Sequence, residues 1–202
     1  LNQGDLAYVS SNNHKNALDN KHAQFRFELE EEKINSSALI SDPIRMLDCA
    51  SYCDGAAALI LCSEDIAAKH KEKILGYLIG SSLASDSTSL SKRNAITSME
   101  CTTKAANDVF NSTGIDKTKI DLFEVYDLFP ISEILAVEDL GLAKKGQGLD
   151  FIRNNASKIN PSGGIKSCGH AIGATGVRQA AEIVNRIKSN NLRYGLSHTI
   201  NG

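Results

Sequence analysis

Short runs of apolar residues alternate with segments whose apolar residues recur at helical spacing along most of the chain. Short continuous apolar runs are typical of buried strands, and a spacing of three to four residues is typical of helices that pack by one face. The pattern predicts strands at residues 56–62, 73–84, 122–126 and 193–200 and helices at residues 5–20, 66–71, 95–111, 130–140 and 176–189. Because strands and helices alternate, we expect an α/β fold in which helices cover a sheet built from βαβ units.

Several predicted boundaries carry local signals. Ser63 and Asp65 are candidate caps for the short helix that follows them, and Pro130 suits the first turn of its helix. Gly114 is placed to stop the preceding helix. The serine-rich residues 85–93 are predicted to be the main loop between pieces of the fold.

Composition excludes several classes of protein. The 202 residues are 42% hydrophobic, which allows a normal core in one domain or in one domain plus part of another. The net charge of −2 and the lack of a basic stripe argue against nucleic-acid binding. No apolar run is long enough to span a bilayer and no signal segment opens the chain. We therefore expect a protein that binds neither nucleic acid nor membrane.

The five cysteines indicate a reducing compartment. Their number is odd and their spacing is irregular, which does not fit a disulfide framework. We therefore expect a cytoplasmic protein. Cys49 and Cys53 do not form a Cys-x-x-Cys pair and no second ligand pair follows, so the sequence predicts no metal site.

The glycine-rich residues 160–176, which contain His170 and precede a predicted helix, are the strongest candidate for a functional site. Glycine lets a backbone pass close to a bound group and adopt positive φ. A histidine in such a turn suits an acid/base or an oxyanion donor, and the alternative is a solvated histidine before a helix N-cap. A phosphate-binding module is a third alternative, but Lys166 lacks the spacing of a P-loop lysine.

The same segment resembles the Asn-Pro-x-Gly-Gly…Gly-His-Pro-x-Gly-x-Thr-Gly signature of the thiolase superfamily, with Ala171 in place of the usual proline. Further segments resemble the family in the family's order, at residues 13–17, 23–25, 54–61, 124–129 and 138–142. The fourth of these is most similar to the His-Asp-Cys-Phe version of sterol-carrier-protein-type and archaeal thiolases. The resemblance covers nearly the whole chain.

The resemblance implies a thiolase-like layered fold, in which helices cover a mixed β-sheet, and it matches only the C-terminal half of a thiolase subunit. Residues 1–72 would be the end of the N-terminal and loop region. Residues 73–202 would be the C-terminal domain without its last strand. The resemblance also implies a homodimer or tetramer, and a partner in the missing N-terminal half of the same protein.

The activity implied by the resemblance is that of an acetyl-CoA acetyltransferase, which condenses or cleaves coenzyme A thioesters by reversible Claisen chemistry. A cysteine thiolate takes an acyl group, and a second thioester supplies a carbanion. Acyl-CoA and CoA would be the substrates, and no separate cofactor is implied. No segment here resembles the family's nucleophile region, so this chain alone is expected to be inactive.

Two residues receive catalytic roles from the resemblance. His170 would face the nucleophile, help to form its thiolate and donate into an oxyanion hole. Tyr126 stands where the family has an Asn or His that orients a water, and a phenol can donate a hydrogen bond in the same way. The alternative is a strand-end tyrosine with a buried ring and a wet hydroxyl.

Four further residues are candidates for substrate contacts. Ser51 lies near the position of a family serine beside the pantetheine amide, and Phe129 packs against the pantetheine channel or the core. Gly169 would let the backbone pack against the site. Asn201 lies with His198 in the turn that replaces the family's Cys-x-Gly, and either residue donates to the thioester oxygen or belongs to a solvated loop end.

Other polar residues are predicted to be structural. Asp127 is expected to accept hydrogen bonds near the site, and Cys168 is expected to be a small packing residue. His14, His22 and His70 lie in polar helical contexts and are expected at the surface.

Two functions stay open at this point. Tyr126, Leu128 and Thr199 replace residues that the family uses, which favours a non-catalytic scaffold or acyl-CoA-binding subunit of a larger complex. The intact Gly-His-x-x-Gly-x-Thr-Gly motif favours the catalytic half, because a scaffold has no chemical need for it.

Overall fold

The computed structural model describes residues 1–200, and residues 201–202 lie outside the described part. The described helices are α1 (Gln3–Asn16), α2 (Glu31–Asn35), α3 (Glu64–Lys69), α4 (Glu100–Thr113), α5 (Pro130–Asp139), α6 (Gly148–Asn154), α7 (Gly164–Cys168) and α8 (Thr175–Asn190). The described strands are β1 (Leu39–Ser41), β2 (Ile44–Arg45), β3 (Leu122–Glu124) and β4 (Gly195–Ser197). None of these helices is both long and apolar enough to cross a membrane.

The strands β3 and β4 pair in parallel, with Leu122 opposite Gly195. A parallel pair needs a long crossover connection, which the helices α5 to α8 supply here. Helix α8 packs against both strands, while β1 and β2 form a separate antiparallel hairpin. This arrangement confirms the predicted α/β fold, although both central strands are shorter than the predicted residues 122–126 and 193–200.

The main hydrophobic core lies between β3 and the helices α1, α4, α5 and α6. Its buried members are Leu6, Val9, Ala106, Ile120, Phe123, Val125, Ile134, Ala136, Val137, Leu140, Leu149, Ile152 and Ile159. Burial of each large aliphatic or aromatic side chain stabilises the fold by about 1.5–3 kcal/mol. The core therefore fixes the position of β3, and with it the polar residues at its end, Glu124 and Asp127.

The start of α4 depends on a tertiary contact that the local sequence does not show. Asp139, which is buried at the end of α5, accepts hydrogen bonds from Ser98 Oγ at 2.8 Å and from the Met99 N–H at 2.7 Å. These bonds hold the residues before the helix in a non-helical conformation, so α4 begins later than predicted. It ends as predicted, because Gly114 adopts a φ of 66°.

The helices predicted at residues 66–71, 130–140 and 176–189 are confirmed, with each boundary within two residues of the prediction. Pro130 occupies the first turn of α5 as predicted. Ser63 stands at the N-cap position of α3, but its side chain makes no capping hydrogen bond.

The strands predicted at residues 56–62 and 73–84 are wrong for this chain. Neither segment pairs with a strand among the described residues. Their apolar side chains are exposed, with Ile60 at 97% and Leu83 at 94% of full exposure. A strand needs a neighbour to satisfy its backbone hydrogen bonds, and residues 1–200 provide none at either place.

The segment at residues 73–84 nevertheless lies against two helices. A Cβ at Gly76 would lie 2.8 Å from Val184 Cγ2 of α8, and a Cβ at Gly80 would lie 2.5 Å from Thr113 Cγ2 of α4. Glycine allows this close approach on the helix side. The large apolar side chains of the segment point elsewhere and are exposed.

The pattern missed α2, α6, α7 and the β1–β2 hairpin. The three helices have five, seven and five residues, which is too short for a helical period to show. The hairpin turns at a cis Asp42–Pro43 bond. The first helix, predicted at residues 5–20, lies slightly earlier as α1. The predicted division into residues 1–72 and 73–202 stays a prediction.

Candidate active site

His170 lies between α7 and α8, where its backbone is bonded to a neighbouring segment. The His170 N–H donates to the Ser51 carbonyl at 2.8 Å, and the Cys53 N–H donates to the His170 carbonyl at 3.4 Å. Tyr52 and His170 form an isolated parallel bridge between these bonds. The position of the buried imidazole is therefore set by the backbone and not only by its side-chain contacts.

Gly169 makes this close backbone approach possible. Its φ is 86°, and a Cβ would lie 2.5 Å from Gln24 Oε1 and 2.6 Å from Cys53 Sγ. Only glycine adopts this conformation without strain and leaves room for both neighbours. Gly169 therefore has a structural reason to be glycine, and its predicted role in substrate binding stays a prediction.

The His170 ring has a polar partner at each nitrogen. Nδ1 lies 3.0 Å from Thr175 Oγ1, and Nε2 lies 3.4 Å from the Tyr126 hydroxyl. Tyr126 meets the imidazole edge to face, with centroids 5.7 Å apart, and the exposed Tyr52 packs on it with centroids 5.5 Å apart. The structure therefore brings together the two residues that were predicted to be catalytic.

Burial sets the protonation of this pair. Burial lowers the pKa of His170 from its usual value, and the positive charge of Arg178 lowers it further. Burial raises the pKa of Tyr126, and the neighbouring Tyr52 and Asp127 raise it further. At neutral pH the site therefore holds a neutral imidazole beside a protonated phenol, which is a base next to a hydrogen-bond donor.

Asp127 caps the helix that leads to His170. Its Oδ1 accepts the Ile165 N–H at 2.7 Å, and its Oδ2 accepts the Lys166 N–H at 3.1 Å. Gly164, with a φ of 64°, leaves the space for this carboxylate, because a Cβ there would lie 2.0 Å from Oδ2. Burial raises the pKa of Asp127 to about 6. The prediction that Asp127 is structural is confirmed.

Glu124 fixes the beginning of the same glycine-rich loop. Its Oε1 accepts the Ser162 N–H at 3.0 Å, and its Oε2 accepts the Ser162 hydroxyl at 2.7 Å. Arg178 Nη1 lies 3.7 Å from Oε2. Burial raises the pKa of Glu124 to about 7, which outweighs the opposing effects of Arg178 and Ser162. The guanidinium stays charged throughout, so the carboxyl is the group of this pair that pH controls.

A third buried acid, Glu133, shares the hydrogen-bond donor Asn13 with Asp127. Its Oε2 accepts from Asn13 Nδ2 at 2.7 Å and from Asn160 Nδ2 at 3.1 Å. The Asn13 amide also donates to Asp127 at 3.0 Å, and Asn160 Oδ1 accepts the Val125 N–H at 2.8 Å. Burial, together with the nearby Asp127, raises the pKa of Glu133 well above its usual value. The acid thus ties α1, α5 and the loop into one network.

An open cleft of about 460 Å³ lies beside His170, between residues 53–57 and residues 171–174. The exposed Ile172 is one of the residues that line it. The cleft directly follows His170 in the chain and leaves room for a ligand.

The predicted substrate contacts are only partly near this pair. Ser51 is half-buried and meets His170 through its backbone carbonyl. Phe129 is half-buried at the N-cap of α5 and joins none of the described hydrophobic clusters. Asn201 lies outside the described residues. All three contacts stay predictions.

His198 is partly buried and contacts Thr102 and the backbone of Tyr126. Its Nε2 lies 3.0 Å from Thr102 Oγ1, and its Nδ1 lies 3.5 Å from the Tyr126 N–H. Burial lowers the pKa of His198 to about 4. Both ring nitrogens are therefore engaged inside the fold, which disfavours donation to a thioester.

The remaining predictions for polar residues have mixed outcomes. Cys168 is buried beside Ala17 and Ala23, which confirms its packing role, and burial raises the pKa of its thiol to about 11. His22 and His70 are exposed as predicted. The prediction for His14 is wrong: its side chain is buried against Phe25 and Phe27, and burial lowers its pKa to about 4.

Sequence reasoning missed several residues that build the site. Thr175 belongs to the glycine-rich motif, five positions after His170, and this spacing was the available signal. Lys166 is buried and its Nζ donates to the Cys49 carbonyl at 2.9 Å, which links α7 to the segment before Ser51. No local signal marks Lys166, because its partner lies far away in the sequence.

Comparison with known proteins agrees with this geometry. Residues 82–196, which are more than half of the chain, match the family described as "Thiolase C-terminal domain-like". The chain therefore belongs to the thiolase superfamily and corresponds to the C-terminal portion of its members. The predicted resemblance is confirmed.

Individual relatives show how much of the length of each related protein this chain covers. An acetyl-CoA acetyltransferase of Methanothermobacter thermautotrophicus is 40% identical, over 98% of this chain and 55% of its own length. Sterol carrier protein 2 of Gallus gallus is 33% identical, over 88% of this chain and 34% of its own length. The solved Ltp2-ChsH2(DUF35) aldolase shares the fold with a TM-score of 0.80 at 20% identity, over 94% of this chain and 51% of that chain. The chain thus spans about half the length of the acetyltransferase and about a third of sterol carrier protein 2.

We predict that Gly169→Ala disrupts the site whereas Gly173→Ala does not. Alanine at position 169 must adopt a φ of 86° and displace Gln24 or Cys53, whereas a Cβ at position 173 has no atom within 4 Å. We expect Gly169→Ala to lower the free energy of unfolding by roughly 1–3 kcal/mol. Urea denaturation of both variants measures the difference, and equal stabilities would contradict the backbone argument.

We predict that Glu124 makes stability depend on pH in an unusual direction. Its pKa is raised to about 7 in the fold, so its contribution is complete below its ordinary pKa of 4.5 and is lost as pH rises through about 7. Glu124→Gln stays neutral, so its stability relative to the unsubstituted protein should improve with rising pH by on the order of 3 kcal/mol.

Urea titrations between about pH 4.5 and pH 7.5 test this change, with the exposed Glu72→Gln as control. The control should differ from the unsubstituted protein by a constant amount. A constant difference for Glu124→Gln as well would show that the pKa of Glu124 is the same in the folded and the unfolded protein, which would contradict its raised value.

Proposed function

We propose that this chain is the C-terminal half of an acyl-CoA acetyltransferase that condenses and cleaves coenzyme A thioesters. The observation that carries the proposal is the neutral, buried His170, whose Nε2 faces the Tyr126 hydroxyl and whose next residues in the chain, 171–174, line an open cleft. Membership of the thiolase superfamily supports this reaction class, and the acetyltransferase of Methanothermobacter thermautotrophicus is the relative that suggests the activity.

In this proposal His170 accepts the proton of a cysteine thiol that belongs to the other half of the subunit. The thiolate attacks the carbonyl carbon of an acyl-CoA, and CoA leaves as a thiol after it takes the proton from His170. A second acyl-CoA then loses an α-proton to His170, which is neutral again after the release of CoA, and its carbanion attacks the acyl-cysteine. The new carbon–carbon bond releases the cysteine thiolate and a 3-oxoacyl-CoA.

Tyr126 supplies a hydrogen-bond donor at the same place. Its phenol stays protonated at neutral pH because burial raises its pKa. A protonated phenol beside the imidazole can stabilise negative charge as it develops on a thioester oxygen. This supports for Tyr126 the role that the family resemblance assigns to an Asn or His at this position.

The ligands of the site are acyl-CoA and CoA, which act as substrates, and no separate cofactor is proposed. The cleft beside residues 171–174 supplies the space for the thioester end. Ser51, Phe129 and Asn201 are proposed to contact the pantetheine arm, and Gly169 lets the backbone approach it.

The other half of a thiolase subunit is proposed to cover the apolar residues 56–62 and 74–84. Both segments leave large apolar side chains exposed and form no strand pair among the described residues. The chain spans about half of its acetyltransferase relative, so polypeptide of the required size exists in that family. We propose a homodimer or tetramer of the complete subunit. A cytoplasmic location fits the five free cysteines.

A non-catalytic scaffold or acyl-CoA-binding subunit is the second candidate. The replacements Leu128, Tyr126 and Thr199 favour it, because they remove side chains that the resemblance associates with catalysis. The name of the solved Ltp2-ChsH2(DUF35) aldolase includes two components. This supports the proposal that a protein with this fold can be one subunit of a larger assembly.

We predict that His170→Ala in the complete protein lowers kcat for thiolysis of a 3-oxoacyl-CoA by roughly 10²–10⁴-fold, the usual contribution of a positioned acid/base. His70→Ala, at an exposed position, is the matched control and should retain full turnover. Steady-state kinetics with purified protein measure both. Unchanged turnover in His170→Ala would exclude the catalytic role of His170 and favour the second candidate, a non-catalytic scaffold or acyl-CoA-binding subunit.

We predict that the protein as its own cell produces it has an intact mass near twice the 21.7 kDa of this chain. In that protein the backbone amides of residues 56–62 and 74–84 should be protected from hydrogen exchange, because strand partners cover them. Mass spectrometry measures both properties. A mass of 21.7 kDa with a co-purifying polypeptide would place the other half on a separate chain, and unprotected amides would contradict the proposed cover.

A further inference from the structure

Thr175 is the first residue of α8, and its buried hydroxyl has two neighbours at the same distance. Oγ1 lies 3.0 Å from the Ala171 carbonyl oxygen and 3.0 Å from His170 Nδ1. A hydroxyl has one proton, and a carbonyl oxygen can only accept. If Thr175 donates to Ala171, the proton between Thr175 and His170 must therefore lie on Nδ1.

The other side of the ring favours the same arrangement. The Tyr126 hydroxyl lies 3.4 Å from His170 Nε2. A phenol is a better hydrogen-bond donor than a neutral imidazole, and an imidazole nitrogen is a better acceptor than a phenol oxygen, as their pKa values indicate. Tyr126 is therefore the donor and Nε2 the acceptor.

These bonds form one chain of donors in a single direction. It runs from Tyr126 to His170 Nε2, from His170 Nδ1 to Thr175 Oγ1, and from Thr175 to the Ala171 carbonyl. Each proton is used once, and each bond polarises the next. The reverse direction would leave the phenol proton without an acceptor among the described residues.

We propose that Thr175 is a positioning residue that holds His170 in the Nδ1–H tautomer, with the lone pair of Nε2 directed toward the Tyr126 hydroxyl. This inference rests on the proposed function and defines the order of events in it. His170 must first accept a proton at Nε2, and it can donate from that nitrogen only afterwards. Before this transfer the Tyr126 hydroxyl must turn its proton away from Nε2, and it can then donate to a ligand oxygen.

The test is made in the complete protein with Thr175→Val, which keeps the shape of the side chain and removes its hydroxyl, and with Thr175→Ser, which keeps the hydroxyl. Nitrogen-15 NMR of the histidine ring reports which nitrogen of His170 carries the proton. We expect Nδ1–H in the unsubstituted protein and in Thr175→Ser, and a mixture of tautomers in Thr175→Val.

Turnover provides the second readout. Loss of the partner that orients a metal-ligating histidine typically costs about 10–100-fold, and we expect a fall of the same order in kcat of Thr175→Val, with little change in KM. Thr175→Ser should recover most of the loss. An Nε2–H tautomer in the unsubstituted protein would overturn the inference even if Thr175→Val failed to fold, and so would a Thr175→Val enzyme with unchanged kcat.

The two proposals fail in different ways. If His170→Ala keeps its turnover, the proposed function fails, while the NMR result still decides the tautomer. If His170→Ala loses turnover and the unsubstituted protein has Nε2–H, the function stands and the role of Thr175 is excluded.

Discussion

Two carboxylates buried at the end of β3 determine where the glycine-rich loop lies, and the candidate site depends on that loop. Glu124 and Asp127 are shielded from solvent, so they need donors from the protein. The loop supplies these donors as the N–H groups of Ser162, Ile165 and Lys166. The loop thus donates hydrogen bonds to both acids, and Asp127 caps α7. His170 follows the end of α7, directly before residues 171–174, which line the cleft.

The orientation of the His170 ring is fixed by hydrogen bonds, whereas the cleft that follows it is open to solvent. His170 is held through its backbone by the segment at residues 51–53 and through its ring by Thr175 and Tyr126. This preorganisation is what a proton acceptor needs, because no binding energy is then used to order it. The cleft that follows His170 lies between residues 53–57 and residues 171–174 and is open to solvent.

The segments at residues 56–62 and 73–84 expose large apolar side chains. Residues 73–84 pack on α4 and α8 through their glycines and leave their large side chains uncovered. Of residues 56–62, only Ala56 and Ala57 line the cleft. Apolar surface of this extent usually marks an interface in a soluble protein. Further polypeptide covering these segments, as proposed above, would remove their apolar side chains from water.

The sequence by itself determined the features that short-range physics controls. Pro130 and Gly114 set helix boundaries, the helical spacing set α5 and α8, and the glycine-rich motif identified His170 and the family. Tertiary structure alone decided the burial of His14, the cap of α7 and the absence of strand pairing at residues 56–62 within the described chain. A cap by Asp127 and a strand partner both come from distant parts of the chain, and local pattern carries no information about whether such a partner is present.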